Sequence, residues 1–176
     1  LRYPDGKSEL LGGWGYLIGD GGSGYAIGQA ALRLLANYHD SRAAEVSFAR
    51  KLLDRLGLQD ASELRTKLYR AEDPRAWVAR LAPTVIEAAN AGDGHANVIV
   101  TYAAGELGQL VFDATERMGS DRRPLIRLAG ALLTDSTAYR ARVIEDLTTN
   151  GGWDDTLIED APEAALACAR MAAAML

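Results

Sequence analysis

The residues that could do chemistry together lie in the stretch Gly12–Gly24, called the glycine loop below, which holds seven glycines, two aromatic residues and one carboxylate. Trp14 and Tyr16 offer flat apolar faces, and Asp20 offers two acceptor oxygens. Glycines let another group approach the main chain closely. These parts suit a sugar site, where a ring packs on an aromatic face while a carboxylate accepts hydroxyl hydrogens. They also suit a tight turn before a helix, and a glycine pattern alone does not decide between the two.

Two predicted elements flank the glycine loop. The first residues predict a hairpin around the turn Pro4-Asp5-Gly6-Lys7. After the loop, Ser23 or Asp20 is placed to cap a helix that runs to about Asn37, with its apolar residues on one stripe. The amides at the start of that helix give the end of the loop a positive character, which favours a nearby carboxylate.

In the middle of the chain, the spacing of apolar residues and the cap residues predict a helical insertion over residues about 42–118. Its predicted helices are residues about 42–57, a short helix capped by Asp60 and Glu63, one started by Asp73 and Pro74, one from Pro83 to near Gly92, and one from Asp93 to about Met118. His39 and His95 are isolated from cysteines and paired carboxylates, so they are poor metal ligands and no metal site is predicted.

The last third of the chain predicts an α/β pattern. A strand over residues 124–130 ends in Gly130, and Asp135 or Ser136 then caps a helix to about Leu147. A short strand over 156–159 and an alanine-rich helix over about 163–174 follow. A strand, a glycine turn and a helix form a common ligand position in α/β domains, although a plain strand-to-helix turn explains the same residues.

Composition narrows the class of partner. The chain has 176 residues, 48% of them apolar, and a net charge of -5, which argues against a nucleic-acid groove or an anionic membrane surface. No apolar run is long enough to cross a bilayer, and we expect no secretion signal at Leu1. The single cysteine, Cys168, can form no intrachain disulfide, so a reducing, cytoplasmic setting is expected.

The order of residues in the glycine loop is more specific than its composition. Gly13-Trp14-Gly15-Tyr16-Leu17-Ile18-Gly19-Asp20, followed by Gly22-Ser23-Gly24-Tyr25 and Ile27-Gly28, resembles the N-acetylglucosamine kinase family. A second segment, from Trp77 to Asp93, also resembles that family. The family belongs to the actin-like superfamily, alongside the BadF/BadG/BcrA/BcrD ATPases that activate reductases. The resemblance implies a ribonuclease-H-like α/β fold, with residues 1–176 as the C-terminal lobe of a sugar kinase.

The resemblance also implies roles for individual residues. Gly13, Trp14, Gly15 and Asp20 would contact the amino sugar. Ala79 would line the nucleotide pocket, although a small residue at a helix contact explains it equally well. Ala129 and Gly130 would admit the adenosine of ATP, which is used with Mg²⁺. Ala131 stands where the family's glycine pair would continue, so either the pair is Ala129-Gly130 or the pocket is tighter.

Two further features bear on the activity of the chain. In the family, the phosphate loops and the catalytic aspartate precede the hairpin, so we expect no catalytic residue in this chain, a need for an N-terminal lobe of the same protein, and no activity from residues 1–176 alone. The family commonly has an acidic residue where Gly21 stands here, which leaves the preferred amino sugar open. A homodimer is also left open.

Three functions compete on these grounds. The first is an ATP-dependent kinase of N-acetylglucosamine, or of glucosamine, that forms the 6-phosphate. The second is an ATPase that activates a partner reductase, but such proteins hold an iron–sulfur cluster with cysteines, and Cys168 alone does not suffice. The third is a sugar-sensing regulator, which would require a basic DNA-reading segment that this sequence does not show. We predict the kinase.

Overall fold

The computed structural model describes residues 1–3, 5–41, 47–119 and 123–161. It divides into two compact units. The helical unit is Leu10–Leu107, and the sheet unit combines Leu1–Glu9 with Gly108–Leu176. The predicted alanine-rich helix at 163–174, Cys168 and the first residues of the helix predicted at 42–57 lie outside the described residues.

The helical unit follows the glycine loop with a series of helices. They are α1 (Gly24–Ser41), α2 (Ser47–Leu56), α3 (Leu64–Tyr69), α4 (Pro74–Ala79), α5 (Ala82–Asn90) and α6 (Gly94–Met118), the last of which belongs to this unit up to Leu107. Helix α1 packs on α4 and α5, and α2 packs on α5. Its core is made of fully buried apolar side chains, among them Ile27, Leu35, Phe48, Leu52, Leu81, Val85 and Val100.

Local capping explains where most of these helices begin. Ser23 accepts a hydrogen bond from the Ala26 amide at 3.2 Å and so caps α1, which ends at Ser41, about one turn beyond the predicted end. Asp60 and Glu63 form the predicted capping box around the short 3₁₀ turn Ala61–Glu63 that leads into α3. Asp73 caps α4 ahead of Pro74, as predicted.

The sheet unit contains a strand–helix–strand segment. Strand β1 (Ile126–Leu128) is followed by helices α7 (Ala131–Asp135) and α8 (Thr137–Thr149) and by strand β2 (Ile158–Asp160). The strands pair in parallel, with Ile126 opposite Ile158 and Leu128 opposite Asp160. Parallel strands need such a crossover connection, because a tight hairpin can join only antiparallel strands. Both strands are shorter than or shifted from their predicted positions at 124–130 and 156–159.

Packing around Trp153 holds the sheet unit together. The Trp153 side chain is 3% exposed, and its Nε1 donates to the Pro124 carbonyl at 3.3 Å. The Arg123 guanidinium lies 4.1 Å from the ring centroid of the same indole. Tyr139 and Val143 of α8 are also fully buried in this unit. The stretch Gly151-Gly152-Trp153 is therefore a packed turn in the sheet unit.

The parallel pair and its helical crossover agree with the α/β part of the predicted fold. Helices nevertheless make up most of the described residues, and the described sheet has two strands. The chain begins with the predicted hairpin, where Arg2 and Ser8 form an antiparallel bridge. No helix in the described ranges is both long enough and apolar enough to cross a membrane.

Candidate functional site

The glycine loop contains a tight turn that faces solvent. The amides of Ile18 and Gly19 both donate to the Gly15 carbonyl, at 3.2 and 2.8 Å. The turn leaves Leu17 and Ile18 exposed by 78% and 79%, so the loop carries an apolar surface that its own unit does not cover.

Trp14 projects from this loop with 75% of its surface exposed. A side chain at Gly19 would press on Trp14, because its Cβ would lie 3.2 Å from the Trp14 Cβ. The two positions therefore lie side by side at the base of the turn. A solvated indole on a tightly closed turn is available to pack on the face of a sugar ring.

Asp20 has a backbone conformation that is uncommon for a residue with a side chain. Its φ is 59°, and it is the one non-glycine residue with positive φ in the described part of the chain. The left-handed region costs an L-residue about 1–2 kcal/mol, which asparagine and aspartate tolerate best. Within the described residues its side chain makes no hydrogen bond or ion pair. The half-buried carboxylate of Asp20 is therefore free to accept hydrogen bonds from a ligand.

Helix α6 supports the loop directly after Asp20. A Cβ on Gly22 would meet the Leu107 side chain at 2.5 Å and the Ala103 carbonyl oxygen at 2.7 Å. Only a residue without a side chain can approach the helix this closely. The contact fixes the distance between the end of the loop and α6.

A small aromatic cluster joins the loop to α1 and α4. The rings of Tyr16 and Tyr25 meet edge to face, with centroids 4.8 Å apart and an interplanar angle of 68°. The Arg75 guanidinium of α4 lies 5.3 Å from the Tyr16 centroid, and Gln29 donates to the Tyr25 hydroxyl at 3.4 Å. No local pattern in the sequence indicates the contact between Arg75 and the loop, because the two belong to separate elements.

Ala79 lies at a contact between helices. It ends α4, and its carbonyl oxygen and Cβ lie 3.6 and 4.0 Å from the position of a Cβ on Gly24. The preceding residue, Val78, packs its carbonyl against Gly28 of α1. The structural interpretation of Ala79 is thus observed, and its role in a nucleotide pocket stays a prediction.

Ala129 and Gly130 form the turn between β1 and α7. Gly130 has φ 105° and ψ 144°, a conformation that only glycine adopts readily. Its carbonyl accepts from the amides of Leu133 and Thr134 at 2.9 and 3.0 Å, which closes the turn. A Cβ on Gly130 would meet nothing within 4 Å, so one side of its main chain is open.

The predicted site residues therefore fall into three groups. Gly13, Trp14, Gly15 and Asp20 lie in one loop of the helical unit, and Ala79 packs against the helix that follows that loop. Ala129 and Gly130 belong to the sheet unit. In the described part of the chain, no three histidine, cysteine, aspartate or glutamate side chains are grouped so that they could hold a metal ion.

Comparisons with known proteins agree with the family that the glycine loop indicates. The sequence profile of the BadF/BadG/BcrA/BcrD ATPase family matches residues 1–150. An N-acetyl-D-glucosamine kinase of Dictyostelium discoideum is 33% identical over 147 residues, which cover 81% of this chain and 44% of the relative. An N-acetylmuramic acid/N-acetylglucosamine kinase of Clostridium acetobutylicum is 30% identical over 135 residues, covering 76% of this chain and 44% of the relative.

A solved structure is similar as well. It is that of a candidate N-acetylglucosamine kinase from Chromobacterium violaceum, with a TM-score of 0.65 and 33% identity over 80% of this chain and 46% of that one. The chain thus spans less than half the length of each of these three proteins.

Proposed function

The chain belongs to the BadF/BadG/BcrA/BcrD ATPase family, and we propose that the whole protein is an ATP-dependent kinase that phosphorylates N-acetylglucosamine at its 6-hydroxyl. The chain would be the C-terminal lobe of a ribonuclease-H-like, actin-like fold, with residues about 42–118 as a helical insertion. An N-terminal lobe of the same protein would complete the enzyme and supply the catalytic base and the phosphate loops. A cytoplasmic setting is part of the proposal, because the reaction uses ATP.

One observation carries the proposal. A solvated indole, Trp14, and an uncommitted carboxylate, Asp20, occur on one glycine loop in a chain that is 33% identical to an N-acetyl-D-glucosamine kinase. The indole offers an apolar face for the ring, and the carboxylate accepts from its hydroxyl groups. Gly13 and Gly15 would let the sugar approach the main chain, since a Cβ on Gly15 meets nothing and one on Gly13 only reaches Leu10 at 4.0 Å.

The contribution of this chain to the reaction would be orientation. Holding the 6-hydroxyl in line with the transferred phosphoryl group can supply a large part of the rate enhancement, because phosphoryl transfer depends mainly on positioning and electrostatics. Closure of the enzyme over both substrates would exclude water, which otherwise competes as the acceptor. Asp20 is assigned to sugar binding, and the proton of the hydroxyl would be taken by a base outside this chain.

For ATP, the turn at Ala129 and Gly130 is the proposed adenosine contact, with Ala79 as a further contact. The open side of Gly130 supports this, because a planar base needs main chain that no side chain covers. Mg²⁺ would enter with ATP and be bound mainly by phosphates, water and one or two carboxylates. Among the described residues, no three histidine, cysteine, aspartate or glutamate side chains are grouped to hold it.

A second acceptor is favoured by Arg75. N-acetylmuramic acid carries a carboxylate that N-acetylglucosamine lacks, and the relative from Clostridium acetobutylicum is named for both sugars. The Arg75 guanidinium beside Tyr16 gives the edge of the glycine loop a positive charge that could attract this group. Glucosamine remains the third candidate acceptor.

The test is ADP release by the purified full-length protein with each of the three sugars and with none. We expect release that depends on N-acetylglucosamine, with the 6-phosphate as product. Equal ATP hydrolysis with and without sugar would overturn the proposal in favour of an ATPase, and saturable sugar binding without turnover would overturn it in favour of a sensor.

Asp20→Asn tests the assigned residue against Asp40→Asn as a matched control. Asp40 is an exposed aspartate near the end of α1. Asp20→Asn should raise the KM for sugar about tenfold or more, because a charged acceptor makes stronger hydrogen bonds than an amide. The KM for ATP should be unchanged in both variants. An unchanged KM for sugar in Asp20→Asn would remove Asp20 from the site.

A further inference from the structure

A second carboxylate lies against the glycine loop directly beside Asp20. It belongs to Glu106 of α6, whose side chain covers the face of Gly21. A Cβ on Gly21 would overlap the Glu106 Oε2 and would lie 3.0 and 3.1 Å from its Cβ and Cγ. Glu106 therefore occupies the space that a side chain at position 21 would fill. Its charge is not neutralised there, because no ion pair to Glu106 occurs among the described residues.

Glu106 has one side-chain partner on its own helix, and its neighbours on α6 contact the loop. Tyr102 lies one helical turn earlier on α6, and the hydrogen bond between its phenol and the Glu106 carboxylate raises the pKa of Tyr102. On the other side of Glu106, Ala103 and Leu107 pack on Gly22. The exposed side chain of Glu106 thus lies against Gly21, and the next glycine, Gly22, packs on Ala103 and Leu107 of the same helix.

The position of Glu106 affects Asp20. Asp20 keeps its left-handed backbone conformation only while the surrounding structure prevents a change to a more favourable one. Gly21 has no positive φ of its own, so its main chain could move toward α6 if the space beside it were empty. Such a movement would turn the peptide that joins Gly21 to Asp20. Glu106 fills that space.

We propose that Glu106 is a positioning residue of the amino-sugar site: its side chain fixes Gly21 against α6 and so keeps the Asp20 carboxylate turned toward the substrate. The proposal rests on the proposed function for its substrate. It assigns Glu106 a steric and hydrogen-bonding role beside the loop, and the glutamine side chain, which has the same shape, can replace it.

The test combines Glu106→Ala, Glu106→Gln and Gly21→Ala in the full-length protein, with Glu87→Ala on the exposed face of α5 as a control. Glu106→Ala should raise the KM for sugar about tenfold, because a small displacement of a binding group is costly, while the KM for ATP is unchanged. Glu106→Gln should stay within about twofold of the wild type, since the amide retains both the shape and a hydrogen bond to Tyr102. Glu87→Ala should have no effect.

The double variant gives the sharpest result. Gly21→Ala alone should also raise the KM for sugar, because its Cβ collides with Glu106. In Glu106→Ala the overlapping Oε2 and the Cγ are removed, and only the Cβ of position 106, at 3.0 Å, stays close to the new Cβ. Gly21→Ala combined with Glu106→Ala should therefore bind sugar better than Gly21→Ala alone, and its loss should be smaller than the sum of the two single losses. Additive losses in the double variant, or a loss in Glu106→Gln as large as in Glu106→Ala, would overturn the proposal.

Amide hydrogen exchange separates this inference from the proposed function. Without any substrate, exchange at residues 20–22 should be faster in Glu106→Ala than in the wild type and in Glu87→Ala. If the wild type shows no sugar-dependent turnover, the proposed function fails, and the exchange result still decides the role of Glu106. Unchanged exchange at residues 20–22 would overturn that role even in an active kinase.

Discussion

The glycine loop and the turn at Gly130 use glycine for opposite reasons. In and after the loop, Gly22 and Gly28 are packed so closely on neighbouring helices that a Cβ would collide with a main-chain carbonyl. At Gly130 a Cβ would meet nothing, and only the backbone conformation requires glycine. Three further glycines of the loop differ in the same way. A Cβ would meet nothing at Gly15, would only reach Leu10 at 4.0 Å at Gly13, and would overlap Glu106 at Gly21.

This difference separates glycines that pack on another element from glycines whose main chain a ligand can reach. Where a neighbouring element occupies the space of the missing Cβ, the glycine brings two elements together, and a ligand cannot use that space. Glycines with an open side leave main chain that a ligand can reach. By this criterion Gly13, Gly15 and Gly130 are the candidates for ligand contact, and Gly22 and Gly28 build the framework that presents Trp14 and Asp20.

Replacing Gly28 should have the largest effect on stability. In Gly28→Ala the new Cβ would collide with the Val78 carbonyl at the buried contact between α1 and α4. Overpacking a rigid contact costs about 1–3 kcal/mol, and a main-chain neighbour places this variant near the upper end. Urea unfolding of the full-length protein measures the loss.

Gly105→Ala is the matched control, because Gly105 lies inside α6 and its Cβ would meet nothing within 4 Å. It should stabilise the protein by about 0.5–1 kcal/mol, since alanine is the better helix former. Equal effects of the two substitutions would refute the division between covered and open glycines.

Gly130→Ala should have the next largest effect on stability. The cause is backbone strain alone, because the new Cβ would meet no neighbouring atom. An L-residue at φ 105° and ψ 144° is strained by about 1–3 kcal/mol, so the turn will be destabilised or will rearrange. Either result should raise the KM for ATP and leave the KM for sugar unchanged. Ala131→Gly, which adds a glycine beside it, should not raise the KM for ATP; if it does, the proposed adenosine contact is misplaced.

How much of this the sequence could predict depends on the range of the interaction. Caps depend on neighbouring residues, so Asp73 and the Asp60–Glu63 box were predicted correctly, and the cap of α1 is Ser23, one of the two residues predicted for it. Strand ends depend on partners elsewhere in the chain. The strand predicted at 124–130 is therefore only Ile126–Leu128, because β2 pairs with just those residues.

The candidate site shows the same limit. The glycine loop and its Trp14 and Asp20 could be found from residue order alone. The contact of Glu106 with Gly21 could not be predicted, because the two positions are far apart in the chain and no local pattern connects them. The family resemblance implies an acidic residue where Gly21 stands, and in the structure a carboxylate from α6 lies beside this glycine.

Trp14→Ala should change binding with little change in stability. The indole is 75% exposed, so the free energy of unfolding should change by less than about 0.5 kcal/mol. The KM for sugar should rise about tenfold, equivalent to about 1.4 kcal/mol, through loss of the aromatic face. Tyr69→Ala, at an 81% exposed aromatic of α3, is the control and should leave the KM unchanged; an equal rise there would indicate a nonspecific effect.

The smallest effects should come from replacing the two serine caps. One cap lies beside the glycine loop and the other follows the turn at Gly130, so the two substitutions compare these regions directly. Ser23 accepts from the Ala26 amide at 3.2 Å at the start of α1, and Ser136 accepts from the Tyr139 amide at 3.3 Å at the start of α8. Either serine-to-alanine substitution should lower stability by about 1 kcal/mol, as loss of a cap usually does. Only Ser23→Ala should also raise the KM for sugar, by less than about tenfold, because Ser23 and Asp20 share a turn in which the Ser23 amide donates to the Asp20 carbonyl at 3.1 Å. If Ser136→Ala raised the KM for sugar by the same amount at matched stability, the effect of Ser23→Ala on sugar binding would not be specific to the glycine loop.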